Sequence, residues 1–101
     1  MYARINTFDG STDRFEHALT YIRELVIPAS RQVPGFAGML SLIDRETGRS
    51  MGITLWDSRE AMDASEDAVG QIVKMTTQTG QATLVGVERY EVVDLTIDST
   101  G

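Results

Sequence analysis

Few side chains in this sequence are equipped for chemistry, so each can be weighed singly. His17 is the only histidine. Histidine is the side chain most often used as a general base near neutral pH. It falls off the apolar stripe of its predicted helix, so an exposed helix residue is the competing and favoured reading. Tyr21 comes one turn later, at the flank of that stripe. The two either line a pocket mouth or cover a helix. Lys74 is the only lysine, and Schiff-base chemistry would rest on it alone. The absence of cysteine removes disulfides, thiolate metal sites and a cysteine nucleophile together.

With one histidine and no cysteine, no zinc or iron ligand set is expected. Asp63, Glu66 and Asp67 cluster on the second predicted helix. Hard cations want more converging oxygens than that, so the cluster reads as a solvated face. No glycine-rich phosphate cradle occurs. Neither metal nor cofactor is therefore expected.

Trp56, the sole tryptophan, either walls an aromatic pocket or anchors the core with its ring N–H satisfied locally. Thr54, Gly52 and Ser50 alternate with it on one strand face and are small enough to leave room beside the ring. Phe8, Phe36, Met39, Met62 and Met75 either line an apolar pocket or fill the core. Tyr90 is either a proton donor or an aromatic in a subunit contact, and the second is favoured.

The elements that must position these groups are legible from periodicity. Residues 2–8 read as a strand, and Asp9-Gly10-Ser11-Thr12 as a turn with Thr12 as N-cap. Phe15, Ala18, Leu19, Ile22, Val26 and Ala29 then form one helical stripe. The spacing predicts a helix over 13–27 that Pro28 kinks or stops, with a further turn through Arg31 as the alternative. Pro34-Gly35 is a loop, 36–44 a second strand, 45–49 a glycine-containing connection and 50–56 a third strand. A second helix begins at Asp57 or Ser58 and runs to Gln78. Asp57 with Glu60 resembles a capping box, Gly70 weakens the helix, and Gly80 suits its stop. Residues 84–97 predict a long fourth strand, and 98–101 a loose tail.

Strand, helix, strand, strand, helix, strand is the ferredoxin-like α+β order. Right-handed crossovers put both helices on one face of a four-stranded antiparallel sheet. The strands, however, are apolar on both sides. Alternation gives the second strand Phe36, Leu40 and Leu42 on one face, with Met39 and Ile43 on the other. It gives the fourth strand Val85, Val87, Val93, Leu95 and Ile97 against Leu84, Tyr90 and Val92. Two helices cover one face only. Burying several hundred Å² of the other is a term on the order of 10 kcal/mol before association costs. A second copy of the chain, face to face, is the expected cover.

Composition agrees with this reading. The 101 residues suit one domain, here 1–97, and 42% are apolar. A net charge of −6 with scattered arginines argues against nucleic acid. Residues 1–6 lack the basic and apolar stretches of a signal peptide, and no apolar run reaches membrane-spanning length. A cytoplasmic protein is expected.

Three segments add a resemblance. Pro34-Gly35-Phe36-Ala37-Gly38, Asp44-Arg45-Glu46-Thr47-Gly48, and Ile53-Thr54-Leu55-Trp56-Asp57-Ser58-Arg59-Glu60-Ala61-Met62 are similar to the antibiotic biosynthesis monooxygenase-like family of dimeric α/β barrels. The resemblance covers residues 2–97. It implies a homodimer with a shared barrel and a pocket between each sheet and its helices. It also implies an asparagine at the pocket on the first strand, which here is Asn6, donating a hydrogen bond to a substrate oxygen. Some members are cofactor-independent oxygenases of phenolic polyketides, and a related branch degrades haem. That branch carries a tryptophan and an iron-ligating histidine on the second helix, and the helix from Asp57 to Gln78 has neither.

Two functions follow as expectations. One is oxygenation of a small aromatic or polyketide-like substrate without metal or flavin, with Asn6 as oxyanion donor, Trp56 as wall, and His17 or Tyr21 as proton acceptor. The alternative is a non-catalytic homodimer that binds a small apolar molecule.

Overall fold

The computed structural model describes residues 1–10, 15–68, 70–71, 74 and 82–98. In chain order come β1 (Tyr2–Asp9), α1 (Phe15–Tyr21), a π-helical turn (Ile22–Val26), α2 (Ile27–Arg31), β2 (Phe36–Ile43), β3 (Arg49–Trp56), α3 (Arg59–Ala64) and β4 (Thr83–Glu91). All strand pairs are antiparallel, in the order β2-β3-β1-β4. This is the ferredoxin-like arrangement that the element order predicts. The predicted Thr12 cap, Met75, the stop at Gly80 and residues 99–101 of the tail lie outside the described residues.

Pro28 does not end the first helix. The Ile27 N–H reaches back five residues to the Ile22 carbonyl, which makes a wide turn. Pro28 then falls directly after this wide turn, at the start of α2. The wide turn also shifts the helix phase. Ser30 is buried, with its Oγ donating to the Val26 carbonyl at 2.8 Å, while Ala29 of the predicted stripe is exposed.

The second helix is capped one residue later than the Asp57–Glu60 pair suggests. The Ser58 Oγ accepts the Ala61 N–H at 3.1 Å. Asp57 instead ties the loop before β2, its N–H donating to the Gly35 carbonyl at 2.9 Å. Helical backbone recurs beyond α3 at 66–68, 70–71 and 74. The β2–β3 turn closes on Asp44, whose Oδ1 accepts the N–H groups of Glu46 and Thr47, and on Gly48 with φ of 84°. These hydrogen bonds, that from Glu46 first, hold the Asp44 carboxyl below its ordinary range.

Two bulges correct the predicted strand faces. Phe36 pairs with Trp56 and Gly38 with Leu55, so Ala37 is an extra residue. Phe36 therefore shares a face with Met39 and Ile43 rather than with Leu40 and Leu42. On β4, Thr7 pairs with Gly86 and Phe8 with Leu84, which makes Val85 the extra residue. Leu84 thereby joins Val87. The fourth strand also ends earlier than predicted, at Glu91 opposite Tyr2, because the β1 ladder ends there. After one more bond, from the Val92 N–H to the Met1 carbonyl, residues 92–98 pair with no strand. Val93, Leu95 and Ile97 remain exposed.

The helix-side face of the sheet carries Tyr2, Arg4, Asn6 and Phe8 beside Trp56, Thr54 and Gly52. Trp56 and Met62 form the buried centre, with Tyr2, Val33 and Phe36 packed against them. The Phe36 ring meets Trp56 edge-on, centroids 5.7 Å apart. The opposite face carries Ile5, Ile53 and Leu55, half-buried, and Leu40, Leu42 and Tyr90, which are 52%, 43% and 52% exposed. It is an apolar surface, and none of the described helices lies over it. Among the described residues, no helix is long and apolar enough to cross a membrane.

Candidate functional site

Alternation along β1 sends Arg4 and Asn6 to the helix side, where a polar group needs a partner. Arg4 finds three. Its Nη2 donates to the Met62 carbonyl at 2.7 Å and to Glu66 Oε1 at 3.5 Å, and its Nη1 to Ser65 Oγ at 3.2 Å. Its guanidinium lies 5.9 Å from the centre of the Trp56 ring. Burial pulls this guanidinium below its ordinary value, and Glu66 opposes the shift. Arg4 thus bolts the end of α3 to the middle of the sheet.

Asn6 finds none. It is 6% exposed, and its carboxamide makes no hydrogen bond among the described residues. It lines a cavity of about 170 Å³ together with Arg4, Glu66, Gly70, Leu84, Val87 and Arg89. A buried carboxamide without a partner carries its full desolvation cost unless something enters beside it. Gly52, directly opposite on β3, adds space, since a Cβ there would meet nothing within 4 Å.

Arg89 faces Arg4 across the β1–β4 ladder, and both reach the same Glu66 oxygen. The hydrogen bond from Arg89, foremost, holds the Glu66 carboxyl below its ordinary range. Asp63 and Asp67 are exposed as the solvated reading has it, but Glu66 departs from it as the shared acceptor of two arginines.

The other residues singled out in the sequence are dispersed. Trp56 is fully buried, with its Nε1 donating to Thr54 Oγ1 at 3.0 Å, and Met62 is buried beside it. Phe8 is buried on the Asn6 face, while Phe36 and Met39 are half-buried on β2, separated from β1 by β3. His17 is exposed on α1 and Tyr21 is half-buried at its end, and neither lines this cavity. Arg4, Glu66 and Arg89 escaped sequence reasoning as a group. Their signal was a charged residue sharing the alternation of Tyr2, Asn6 and Phe8.

No family profile matches the chain. The uncharacterized protein Rv2557 of Mycobacterium tuberculosis is 32% identical over 72 residues, which are 71% of this chain and 32% of that protein. The chain thus spans about a third of the length of the curated relatives it matches. Among solved structures, an antibiotic biosynthesis monooxygenase superposes with a TM-score of 0.65 at 21% identity, over 93% of this chain and 100% of that one. SnoaB, a cofactor-independent oxygenase from Streptomyces nogalater, gives 0.66 at 16%, over 93% and 94%. A dimeric ferredoxin-like protein from an uncultured marine organism gives 0.71 at 15%, over 96% and 98%. The resemblance carried by the segments at 34–38 and 53–62 therefore holds for the architecture, and the chain has the ferredoxin-like fold of antibiotic biosynthesis monooxygenase-like proteins.

Proposed function

We propose that this chain is a monooxygenase that works without metal or flavin on a small aromatic, polyketide-like substrate held between sheet and helices. The observation that supports it is Asn6, a buried carboxamide with no hydrogen-bond partner among the described residues, at the wall of a cavity. In this reading a phenol or enol ionises, and its anion reduces oxygen directly. A C–O bond forms to give a hydroperoxide at a former CH₂ carbon. Loss of water leaves a carbonyl, so one oxygen atom enters the product and the other leaves as water. Asn6 donates to the substrate oxyanion. The likeness to SnoaB supports the absence of a cofactor in this scheme.

The working unit in this reading is a cytoplasmic homodimer of the domain at 1–97, joined through the apolar sheet face that none of the described helices covers. The dimeric ferredoxin-like neighbour supports that assembly. An oxygen electrode with an anthrone-type substrate tests the activity. Asn6→Ala is expected to lower turnover by about 10²-fold, the usual scale for losing one oxyanion donor. Turnover equal to that of the parent protein would take Asn6 out of the mechanism.

A further inference from the structure

The cavity contains more positive charge than the proposed oxygenase chemistry accounts for. On a chain of net charge −6, it gathers two guanidiniums against one carboxylate. The arrangement is asymmetric. The Arg4 side chain is 4% exposed and tied to three acceptors, Met62 in α3 and Ser65 and Glu66 just past it. Arg89 and Glu66 are 43% and 47% exposed and sit at the opening. Glu66 satisfies both arginines through a single oxygen, Oε1. An exposed ion pair of this kind contributes little, so its carboxylate can swing to water cheaply. The same cavity holds the buried Asn6 carboxamide, which has no hydrogen-bond partner among the described residues, and the apolar side chains of Leu84 and Val87, 37% and 40% exposed.

We infer that Glu66 holds the place of a ligand's own acidic oxygen. The geometry points to an aromatic anion whose acidic ring enters the cavity, its carboxylate or phenolate displacing Glu66 from Arg89 and accepting from Asn6. Its ring lies against Leu84 and Val87. The volume suffices for that ring: a cavity of about 150 Å³ admits benzene, and this one, of about 170 Å³, opens to solvent, where further rings can extend. Guanidinium suits the role because its planar fork pairs with carboxylate and keeps its charge. The inference rests on this cavity being the ligand site, as the oxygenase reading also requires. It does not rest on oxygen chemistry.

Calorimetric titration without turnover separates the two. The probes are benzoate and 4-nitrophenolate at a pH where both are ionised, against benzamide and nitrobenzene as neutral counterparts. At least one anion is expected to bind tenfold or more tightly than its neutral counterpart. Benzoate and 4-nitrophenolate distinguish a carboxylate from a phenolate ligand. Glu66→Gln is expected to tighten anion binding several-fold, because the competing carboxylate is gone. Arg89→Gln is expected to abolish the preference for the anion. Circular dichroism and a urea midpoint establish that both variants fold, and their exposed positions favour that. Neutral and charged probes binding alike, no anion binding up to millimolar, or weaker anion binding in Glu66→Gln would each overturn the inference. Loss of oxygen uptake in Asn6→Ala with no charge preference in the titration would retain the oxygenase and discard the anion site. Charge preference without oxygen uptake would do the reverse.

Discussion

Gly35 and Ala61 touch so closely that no side chain fits between them. A Cβ on Gly35 would lie 2.4 Å from the Ala61 Cβ, and Gly35 also holds a φ of 84°. The loop before β2 is thereby pressed onto the first turn of α3, and the Asp57–Gly35 hydrogen bond fastens the same junction. This is the physical content of the Pro34-Gly35-Phe36 step.

Gly35→Ala should therefore destabilise the chain by at least about 2 kcal/mol, from the left-handed conformation and the clash together. Adding Ala61→Gly removes the clash but weakens the helix by about 1 kcal/mol. The double variant should be more stable than the sum of the two single changes implies, by about 1 kcal/mol. Urea midpoints measure all four proteins, and strict additivity would mean that the two residues do not press on one another.

Arg4→Ala should cost about 3 kcal/mol, because it strips a charge-assisted bond from the Met62 carbonyl and leaves the Ser65 Oγ without its donor, while Glu66 keeps only Arg89. Arg4→Lys should restore less than half of that, since an ammonium cannot serve three acceptors in a planar fork. Full rescue by lysine in chemical denaturation would reduce Arg4 to a point charge.

Stability should also fall in acid, with Glu66 as one identifiable cause. Its carboxyl is held below the ordinary value of 4.5, so the stabilisation it gives is fully present above that value and is lost as pH falls through the lower, folded-state value. Glu66→Gln should show a shallower acid limb in urea midpoints measured below about pH 5. Acid limbs that run parallel in the two proteins would assign the loss elsewhere.

The proposed homodimer makes its own prediction. Light scattering at micromolar concentration should give twice the chain mass. Leu40→Glu, which puts a charge on the uncovered face, should shift the mass to that of a single chain. A monomeric parent protein would leave Leu40, Leu42 and Tyr90 needing some other cover.

The sequence was most informative where local rules decide. The order of elements, the end of β3 at Trp56 and the start of a helix just after it follow from alternation, capping and helical spacing. It was least informative where one residue shifts a phase. Ala37, Val85 and the wide turn before Pro28 each add a residue that no propensity announces, and each changes which side chains face inward. Arg4 was illegible for another reason. A strand arginine ordinarily marks a wet face, and its acceptors on α3 and beyond are brought to it only by the crossover that lays that helix on the sheet. His17 and Trp56 were weighed between two readings each, and the structure places one in solvent and the other in the core.

The extra residue at Ala37 also governs how this chain is to be aligned with others. A relative lacking that residue keeps the same inside and outside along β2, because the ladder simply closes over the missing position. An alignment that runs through 37 without a one-residue gap would then match inner side chains such as Met39 with outer ones such as Leu40. Identity counted across that stretch would understate kinship, and a hydropathy profile averaged over it would blur two surfaces into one.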